Sequence, residues 1–181
     1  VYVGSQVNFG ESIRTVQEDL REVAPTMFLG VPRIWEKMHA AISIKLQETG
    51  GLRRALFHQA FAACQGLAEK SRQTWSLGDK AAYFLSYWLV LRALQNFIGL
   101  RNAQVALTGA APIPPDVVHF FRVLGVPLVE VYGLTESTGM VTGHRRDNVG
   151  IGTVGVPILG VEHRIGPEGE LLLRGDMVFA G

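Results

Sequence analysis

The chain has 181 residues, of which 48% are hydrophobic and 18% charged, which predicts one folded domain with a sizeable core and excludes an intrinsically disordered protein. The formal net charge is +1, and no basic block is interleaved with aromatic residues, so nucleic acid is not expected as a partner. Cys64 is the only cysteine and falls in an apolar helical pattern, which favours a buried thiol in a reducing compartment over a nucleophile.

The first fifty residues read as a β-α-β unit followed by a helix. Residues 1–7 are predicted as a short strand, and Ser12 can cap the helix that comes next. The apolar side of that helix consists of Ile13, Val16, Leu20 and Val23. Pro25 ends it, and residues 27–29 have the character of a buried strand, so the two strands are expected to be parallel. A second helix is predicted over residues 33–48.

The middle of the chain, residues 52–100, is predicted to be mostly helical, in two helices separated near residues 76–79. The second helix contains residues 81–100, a stretch long enough to cross a bilayer. Polar residues lie well inside it, namely Arg92, Gln95 and Asn96. We therefore expect a core helix or a surface-docked amphipathic helix rather than a membrane span, in a cytoplasmic protein that can contact a membrane peripherally.

From residue 103 onwards the α/β pattern returns. The sequence predicts, in order, a strand, a loop, a helix and a strand at residues 104–108, 109–115, 116–124 and 127–131. Beyond residue 139, glycines alternate with short apolar runs, which indicates a β-rich segment. A hairpin is expected there, with strands at residues 161–165 and 170–174. The fold class predicted from these patterns is α/β with parallel strands.

Two loops of this region follow predicted neighbouring strands. Because the carboxyl ends of parallel strands meet at one edge of a sheet, the loop beginning at Gly109 and the loop beginning at Tyr132 should face one cleft. In the first loop, the small residues Gly109, Ala110 and Ala111 allow the backbone to approach a flat ligand closely. Taken alone, these residues favour an ordinary strand-to-helix turn.

The second loop combines residue types that suit a nucleotide with its metal ion. Tyr132 can stack on a base or serve as a core ring at a strand end, and Gly133 is a hinge-like position beside it. Thr135 can hydrogen-bond a phosphate or make a turn bond of its own. Glu136 can ligate Mg²⁺ or cap a nearby helix.

Other candidate residues carry weaker signals. His144, with Arg145 and Arg146, can bind an anion, but a solvated charged loop is the simpler interpretation. The remaining four histidines share no metal-ligand spacing, and no nucleophile elbow, paired-carboxylate or zinc pattern occurs. The residues together indicate a nucleotide site without a hydrolytic triad.

Several segments, in this order along the chain, resemble the AMP-forming acyl-CoA synthetases of the adenylate-forming superfamily, most closely the long-chain fatty acid group. The two loops are similar to the adenylate-binding motifs of that family, and residues 30–37 are similar to the gate region of its long-chain members. The matching segments read ESI at 11–13, DLREV at 19–23, GVPRIWEK at 30–37, TGAAP at 108–112, YGLTE at 132–136, GTVGVP at 152–157 and GELLLRG at 169–175.

The resemblance implies activation of a fatty acid by ATP to an acyl-adenylate, followed by transfer of the acyl group to CoA with release of AMP. It implies that Tyr132 stacks on adenine and that residues 109–111 line the opposite side, with Gly133 beside the ring. Thr135 would hold an α-phosphate oxygen, Glu136 would ligate Mg²⁺, and Trp35 would line the acyl tunnel. The alternatives are adenylation of another carboxylic or amino acid, and a nucleotide-binding homologue without catalysis.

The resemblance also implies that the chain is an interior part of the large AMP-binding domain. Its expected divisions are a βαβ unit plus helix, a helical insert, an adenylate-binding βαβ unit and a β-rich segment, at residues 1–51, 52–100, 101–139 and 140–181. The family's phosphate loop is expected upstream, and its ribose-binding aspartate and small C-terminal domain with the catalytic lysine are expected downstream. We therefore expect the isolated chain to be inactive.

Overall fold

The structure is a computed structural model that describes residues 4–12, 14–68, 70, 72–145 and 149–179. The helices are α1 Val16–Val23, α2 Pro32–Gln47, α3 Gly51–Gln65, α4 Leu77–Ser86, α5 Arg92–Ile98 and α6 Pro115–Val123, with a π-helical turn at Tyr87–Leu91 between α4 and α5. The strands are β1 Met27–Gly30, β2 Val105–Thr108, β3 Leu128–Glu130, β4 Tyr132–Leu134, β5 Gly139–Gly143, β6 Val156–Pro157, β7 Glu162–Ile165 and β8 Leu171–Arg174.

The main sheet consists of β1, β2 and β3 in that order, and both pairs of neighbours are parallel. The last residues of the three strands are aligned, because Gly30 pairs with Thr108 and Thr108 pairs with Glu130. All three carboxyl ends therefore lie level at one edge. This arrangement confirms the predicted α/β class and puts the segments that follow β1, β2 and β3 at a common edge.

One face of this sheet packs against α2 and α6. Ala106 and Leu128 point into that core, where Trp35 and Phe121 are fully buried. The Trp35 ring meets Phe28 and Phe121 edge to face, with centroid distances of 5.3 and 5.0 Å, and its Nε1–H donates to the carbonyl of Gly30 at 3.1 Å. Trp35 thus fixes α2 to the carboxyl end of β1, and its burial stabilises the fold by several kcal/mol, roughly 3–5 if judged by truncation to alanine.

The described part of residues 52–100 is mostly helical, as predicted, and it packs on the same core. Helix α3 contacts α4 and the π turn, and α4 begins with a capping box in which Ser76 Oγ accepts from Asp79 N–H while the Asp79 carboxylate accepts from Ser76 N–H. Gln95 is buried and donates to the carbonyl of Leu124 at 2.6 Å, which ties α5 to the end of α6. Among the described residues, no helix has both the length and the apolar character needed to cross a membrane.

The N-terminal prediction differs from the structure. Residues 1–3 and Ile13 lie outside the described residues, and residues 4–7 form no strand, so the predicted strand at 1–7 is wrong over its described part. Ser12 Oγ accepts from the N–H of Arg14 and Thr15 in a turn, and the helix begins only at Val16. A strand needs a neighbour for its backbone groups. The partner of β1 is β2, far along the chain.

The region after β3 also differs from the prediction, since Tyr132–Leu134 forms strand β4 rather than a loop. It pairs antiparallel with β5, which pairs with β6 in a second sheet. The pairing depends on Gly133, because a Cβ at that position would overlap the Gly139 carbonyl and lie 2.8 Å from Met140 Cα. The predicted hairpin of β7 and β8 is confirmed, with a turn closed by Gly166 N–H donating to the Glu170 carbonyl at 2.8 Å.

Candidate functional site

The segments that follow β2 and β3 touch directly. Val131 N–H donates to the carbonyl of Thr108 at 2.8 Å. A Cβ on Gly109 would lie 2.9 Å from the Val131 carbonyl oxygen and 3.1 Å from its Cγ2, so only glycine fits here without movement. The two segments that the sequence predicted to share a cleft are therefore adjacent at the carboxyl edge of the sheet.

The first segment holds an unusual backbone conformation at its tip. Ala110 has a φ of +69°, in the left-handed region where a side chain costs about 1 kcal/mol or more. Ala110 and Ala111 are exposed, while Ile113 is buried and anchors the segment before α6 begins. The loop thus presents two small exposed side chains and backbone from a fixed position.

Glu130 holds the other side of this loop, although the sequence reasoning assigned it no role. It ends β3 and is half-buried, and burial raises the pKa of its carboxyl group. The backbone N–H of Ile113 and the positive charge of His144 act in the opposite direction on the same pKa. The hydrogen bond from Ile113 ties the Gly109 loop to β3. The sequence did contain a signal for this role of Glu130, namely a charged residue at the end of an otherwise apolar strand.

Thr135 and Glu136 lie on a tight turn between β4 and β5, and both are exposed. The buried Ser137 fixes this turn: its Oγ accepts from Leu134 N–H at 3.1 Å and lies within donor distance of the carbonyls of Leu134 and Gly139, at 2.9 and 3.1 Å. The sequence reasoning missed this role of Ser137, because it depends on β4 and β5 being paired. The turn therefore exposes the side chains of Thr135 and Glu136 to solvent, while the hydrogen bonds of Ser137 fix its backbone.

The end of the described chain supports the same turn. Phe179 N–H donates to the backbone carbonyl of Glu136 at 2.9 Å, and Thr138 Oγ1 donates to the carbonyl of Met177 at 3.2 Å. Thr138 itself has a left-handed φ of +54°. Glu136 is thereby held through its backbone, which leaves its carboxylate exposed.

These residues fit a nucleotide that brings its own metal ion. The Thr108 hydroxyl, one residue before the Gly109 loop, is fully buried. It has no hydrogen-bond partner among the described residues, so this edge of the sheet contains a buried hydroxyl whose hydrogen bond is not made. No group of three or more His, Cys, Asp or Glu residues that could hold a metal occurs in the part of the chain that the structure describes. A single carboxylate such as Glu136 suits Mg²⁺, which takes its other ligands from phosphate and water.

The remaining predicted residues lie elsewhere or serve the core. Tyr132 is half-buried at the start of β4, adjacent to the Gly109 loop through Val131. Trp35 is fully enclosed below the carboxyl end of β1, so contact with an acyl chain stays a prediction. His144 makes a 2.8 Å hydrogen bond through Nε2 with the Thr153 carbonyl, Arg145 is exposed, and Arg146 falls outside the described residues.

A cavity of about 690 Å³ opens on the other face of the main sheet. Val105, Leu107 and Val129 form its floor, and its basic lining includes His144 and Arg145. None of the predicted nucleotide residues lines this cavity, so it is separate from the edge built by the Gly109 loop and the β4–β5 turn.

The chain matches a protein family model and is similar in sequence to known proteins. A family model described as AMP-binding enzyme matches residues 1–181. The putative fatty-acid–CoA ligase fadD11 of Mycobacterium tuberculosis is 34% identical over 98% of this chain and 32% of that protein. The long-chain-fatty-acid–CoA ligase ACSBG2 of Rattus norvegicus is 32% identical over 92% of this chain and 26% of that protein.

Solved structures agree on the fold. The crystal structure of the anthranilate CoA ligase AuaEII with anthranoyl-AMP matches 96% of this chain with a TM-score of 0.55 and 15% identity, a level that shows the fold alone. The chain covers 27% of that structure and 32% of fadD11, and so spans a third or less of these relatives.

Proposed function

The chain belongs to the family of AMP-binding enzymes, and we propose that the longer protein of which it is a part is a long-chain fatty acid–CoA ligase. The names of fadD11 and ACSBG2 support an acyl-CoA synthetase, each at more than 30% identity. The proposed reaction begins when the fatty acid carboxylate attacks the α-phosphate of ATP, which forms an acyl-adenylate and releases pyrophosphate. The thiol of CoA then attacks the acyl carbonyl and AMP leaves.

The single observation that carries the nucleotide part of the proposal is the contact between Gly109 and Val131, which brings the two segments to one edge. In the proposed arrangement, the adenine ring lies between the Tyr132 ring and the backbone of residues 109–111, with Gly133 beside it. Thr135 donates a hydrogen bond to an α-phosphate oxygen. These groups bind and orient the nucleotide, so that the carboxylate can approach the phosphorus in line.

Glu136 is the proposed protein ligand for Mg²⁺. When bound, Mg²⁺ would neutralise the negative charge that builds up during phosphoryl transfer. The exposed carboxylate on the rigid β4–β5 turn supports this role, because the side chain reaches solvent while its backbone is anchored by Phe179.

The division of the chain into four parts at residues 51, 100 and 139 remains a proposal, as do a cytoplasmic location and the groups expected outside this chain. The proposed acyl contact of Trp35 requires its ring to leave the position where it donates to the Gly30 carbonyl. Peripheral contact with a membrane is a separate proposal.

The substrate class is tested by ATP–pyrophosphate exchange with the full-length protein over a series of saturated fatty acids, aryl acids and amino acids. We expect exchange with long-chain fatty acids, followed by CoA-dependent thioester formation. Exchange with amino acids or aryl acids, and none with fatty acids, would overturn the choice of substrate. Nucleotide binding with no exchange for any acid would favour a non-catalytic homologue.

A further inference from the structure

One face of the main sheet is apolar and largely open to solvent. Side chains alternate in direction along a strand. Phe28, Ala106 and Leu128 point to the core on the side of α2 and α6, so the strand residues next to them point to the other side. We call this second set the open face; its members are Met27, Leu29, Val105, Leu107 and Val129. The exposed fraction is 60% for Met27, 64% for Leu29 and 41% for Val105.

The members of the open face are neighbours across the three strands. Met27 pairs with Val105, and Leu29 pairs with Leu107, which itself pairs with Val129. No member is polar, so the face is one apolar patch. The exposed parts of Met27, Leu29 and Val105 alone amount to an area on the order of 300 Å². This is the size of the largest apolar patch on a typical monomeric protein.

A parallel sheet with one bare face is unusual. Parallel strands are joined by helices that cross over the sheet, and such sheets occur with both faces covered. All three strands here are parallel, and α2 and α6, which pack on β1 and β3, lie on the side of Ala106 and Leu128. The residues of both faces are mostly apolar, which is the pattern of strands that are buried on both sides. A second helical layer is therefore expected over the open face.

Length, area and charge favour another part of the same longer protein over a second copy of the chain. The chain covers 32% of fadD11 and 27% of the anthranilate CoA ligase structure, so most of each relative lies outside the matched part. A stable dimer buries about 800 Å² on each partner, which is more than the open face provides. The cavity on this face has Lys70, His144 and Arg145 in its lining, and none of its described lining residues is Asp or Glu. Two copies joined face to face would bring these basic groups together.

We propose that a helix from the part of the longer protein outside residues 1–181 packs on the open face and forms the second helical layer of the main sheet. The apolar side of this helix covers Leu29, Leu107 and the neighbouring members of the face. Leu107 and Val129 directly precede the last residues of β2 and β3, so the same helix supports the two strands that lead to the candidate nucleotide edge. The proposal rests on family membership and holds whatever acid the longer protein activates.

Thiol labelling of the full-length protein tests whether the open face is covered. The Leu29→Cys variant is treated with a maleimide under native conditions and in denaturant, and mass spectrometry measures the reaction at residue 29 separately from Cys64 and any other cysteine. We expect the native rate to be at least about a hundredfold lower, because a packed side chain reacts only when the layer opens. A smaller ratio would overturn the proposal.

A pair of substitutions at the same position gives a second readout. Leu29→Glu should lower the melting temperature of the full-length protein by several degrees, because a covered face would bury the charge. The matched control Leu29→Met keeps the volume and the apolar character, so it should melt as the wild type does. Equal melting temperatures for the two variants would contradict a covered face.

Photo-cross-linking identifies what covers the face. In two separate variants of the full-length protein, p-benzoylphenylalanine replaces Leu29 or Val105, and unlabelled protein is mixed with isotope-labelled protein. We expect both variants to cross-link within one molecule to a single peptide outside residues 1–181, at positions one or two helical turns apart. Mixed-isotope products would assign the face to a second copy and overturn the proposal, as would cross-links without helical spacing or none at all. Neither labelling nor cross-linking needs catalytic activity, so failure of the proposed ligase function would leave this test intact.

Discussion

Ser137→Ala tests whether a buried hydroxyl holds the turn that carries Thr135 and Glu136. The substitution removes the acceptor of the Leu134 N–H bond and the hydroxyl contacts with the carbonyls of Leu134 and Gly139. One part-buried donor is left without a partner, which costs about 1–3 kcal/mol, and the lost donor bond adds about 1 kcal/mol. We therefore expect the free energy of unfolding to fall by about 2–4 kcal/mol. The β4–β5 hairpin should be the part of the fold that is destabilised, because the lost bonds all lie there.

The matched control is Ser43→Ala on α2, where a part-buried hydroxyl makes a single 3.0 Å bond to the His39 carbonyl. Alanine favours a helix, so this change should cost less than about 1 kcal/mol. Both variants are compared by urea unfolding and by the KM for ATP. A misplaced turn should raise the KM of the Ser137 variant more than that of the control. Equal unfolding free energies and equal KM values in the two variants would refute the reasoning.

Three further predictions follow from single contacts. Burial raises the pKa of Glu130 above its usual value near 4.5. Its stabilising effect is therefore present below that pH and is lost as the pH rises through the higher folded pKa. In the Glu130→Gln variant, the free energy of unfolding should decline less with pH in that window, and an unchanged slope would contradict this. Trp35→Phe should cost about 1–2 kcal/mol by loss of the bond to Gly30, against about 3–5 for Trp35→Ala, and a Trp35→Phe variant that unfolds in denaturant as the wild type does would show that the bond contributes nothing. Gly133→Ala should separate β4 from β5 and lower the melting temperature by several degrees. Gly50→Ala is the control and should leave the melting temperature unchanged, because the space around its Cβ position is open. A Gly133 variant as stable as the wild type would mean that the strands need no close approach.

The parallel sheet was predictable because its strands are short apolar runs whose boundaries the sequence marks clearly. The prediction of strands at 104–108 and 127–131 came within one residue of β2 and β3. Parallel order along one edge then follows from the helices between them. The strand predicted at 1–7 failed over its described residues, 4–7, because an apolar run does not reveal whether a neighbouring strand exists to accept its hydrogen bonds.

The candidate site was predictable as a pair of segments, but its supports were not. Glu130 and Ser137 act through bonds to Ile113 and Leu134, and these bonds exist only once β3, β4 and β5 are in place. Likewise, the left-handed Ala110 has no local signature, since alanine does not favour that conformation. Tertiary contacts decide these details, and short motifs do not encode them.

The roles of Tyr132, Thr135 and Glu136 toward ATP remain predictions, and they depend on the Gly109 loop and the β4–β5 turn acting as one nucleotide site. The most direct measurement is fatty-acid-dependent ATP–pyrophosphate exchange by the full-length protein, with Glu136→Gln compared with Glu168→Gln in the exposed turn between β7 and β8. We predict that the Glu136 variant loses about a hundredfold of the exchange rate while the Glu168 variant retains it. Equal exchange rates in the two variants would contradict the assignment of the site.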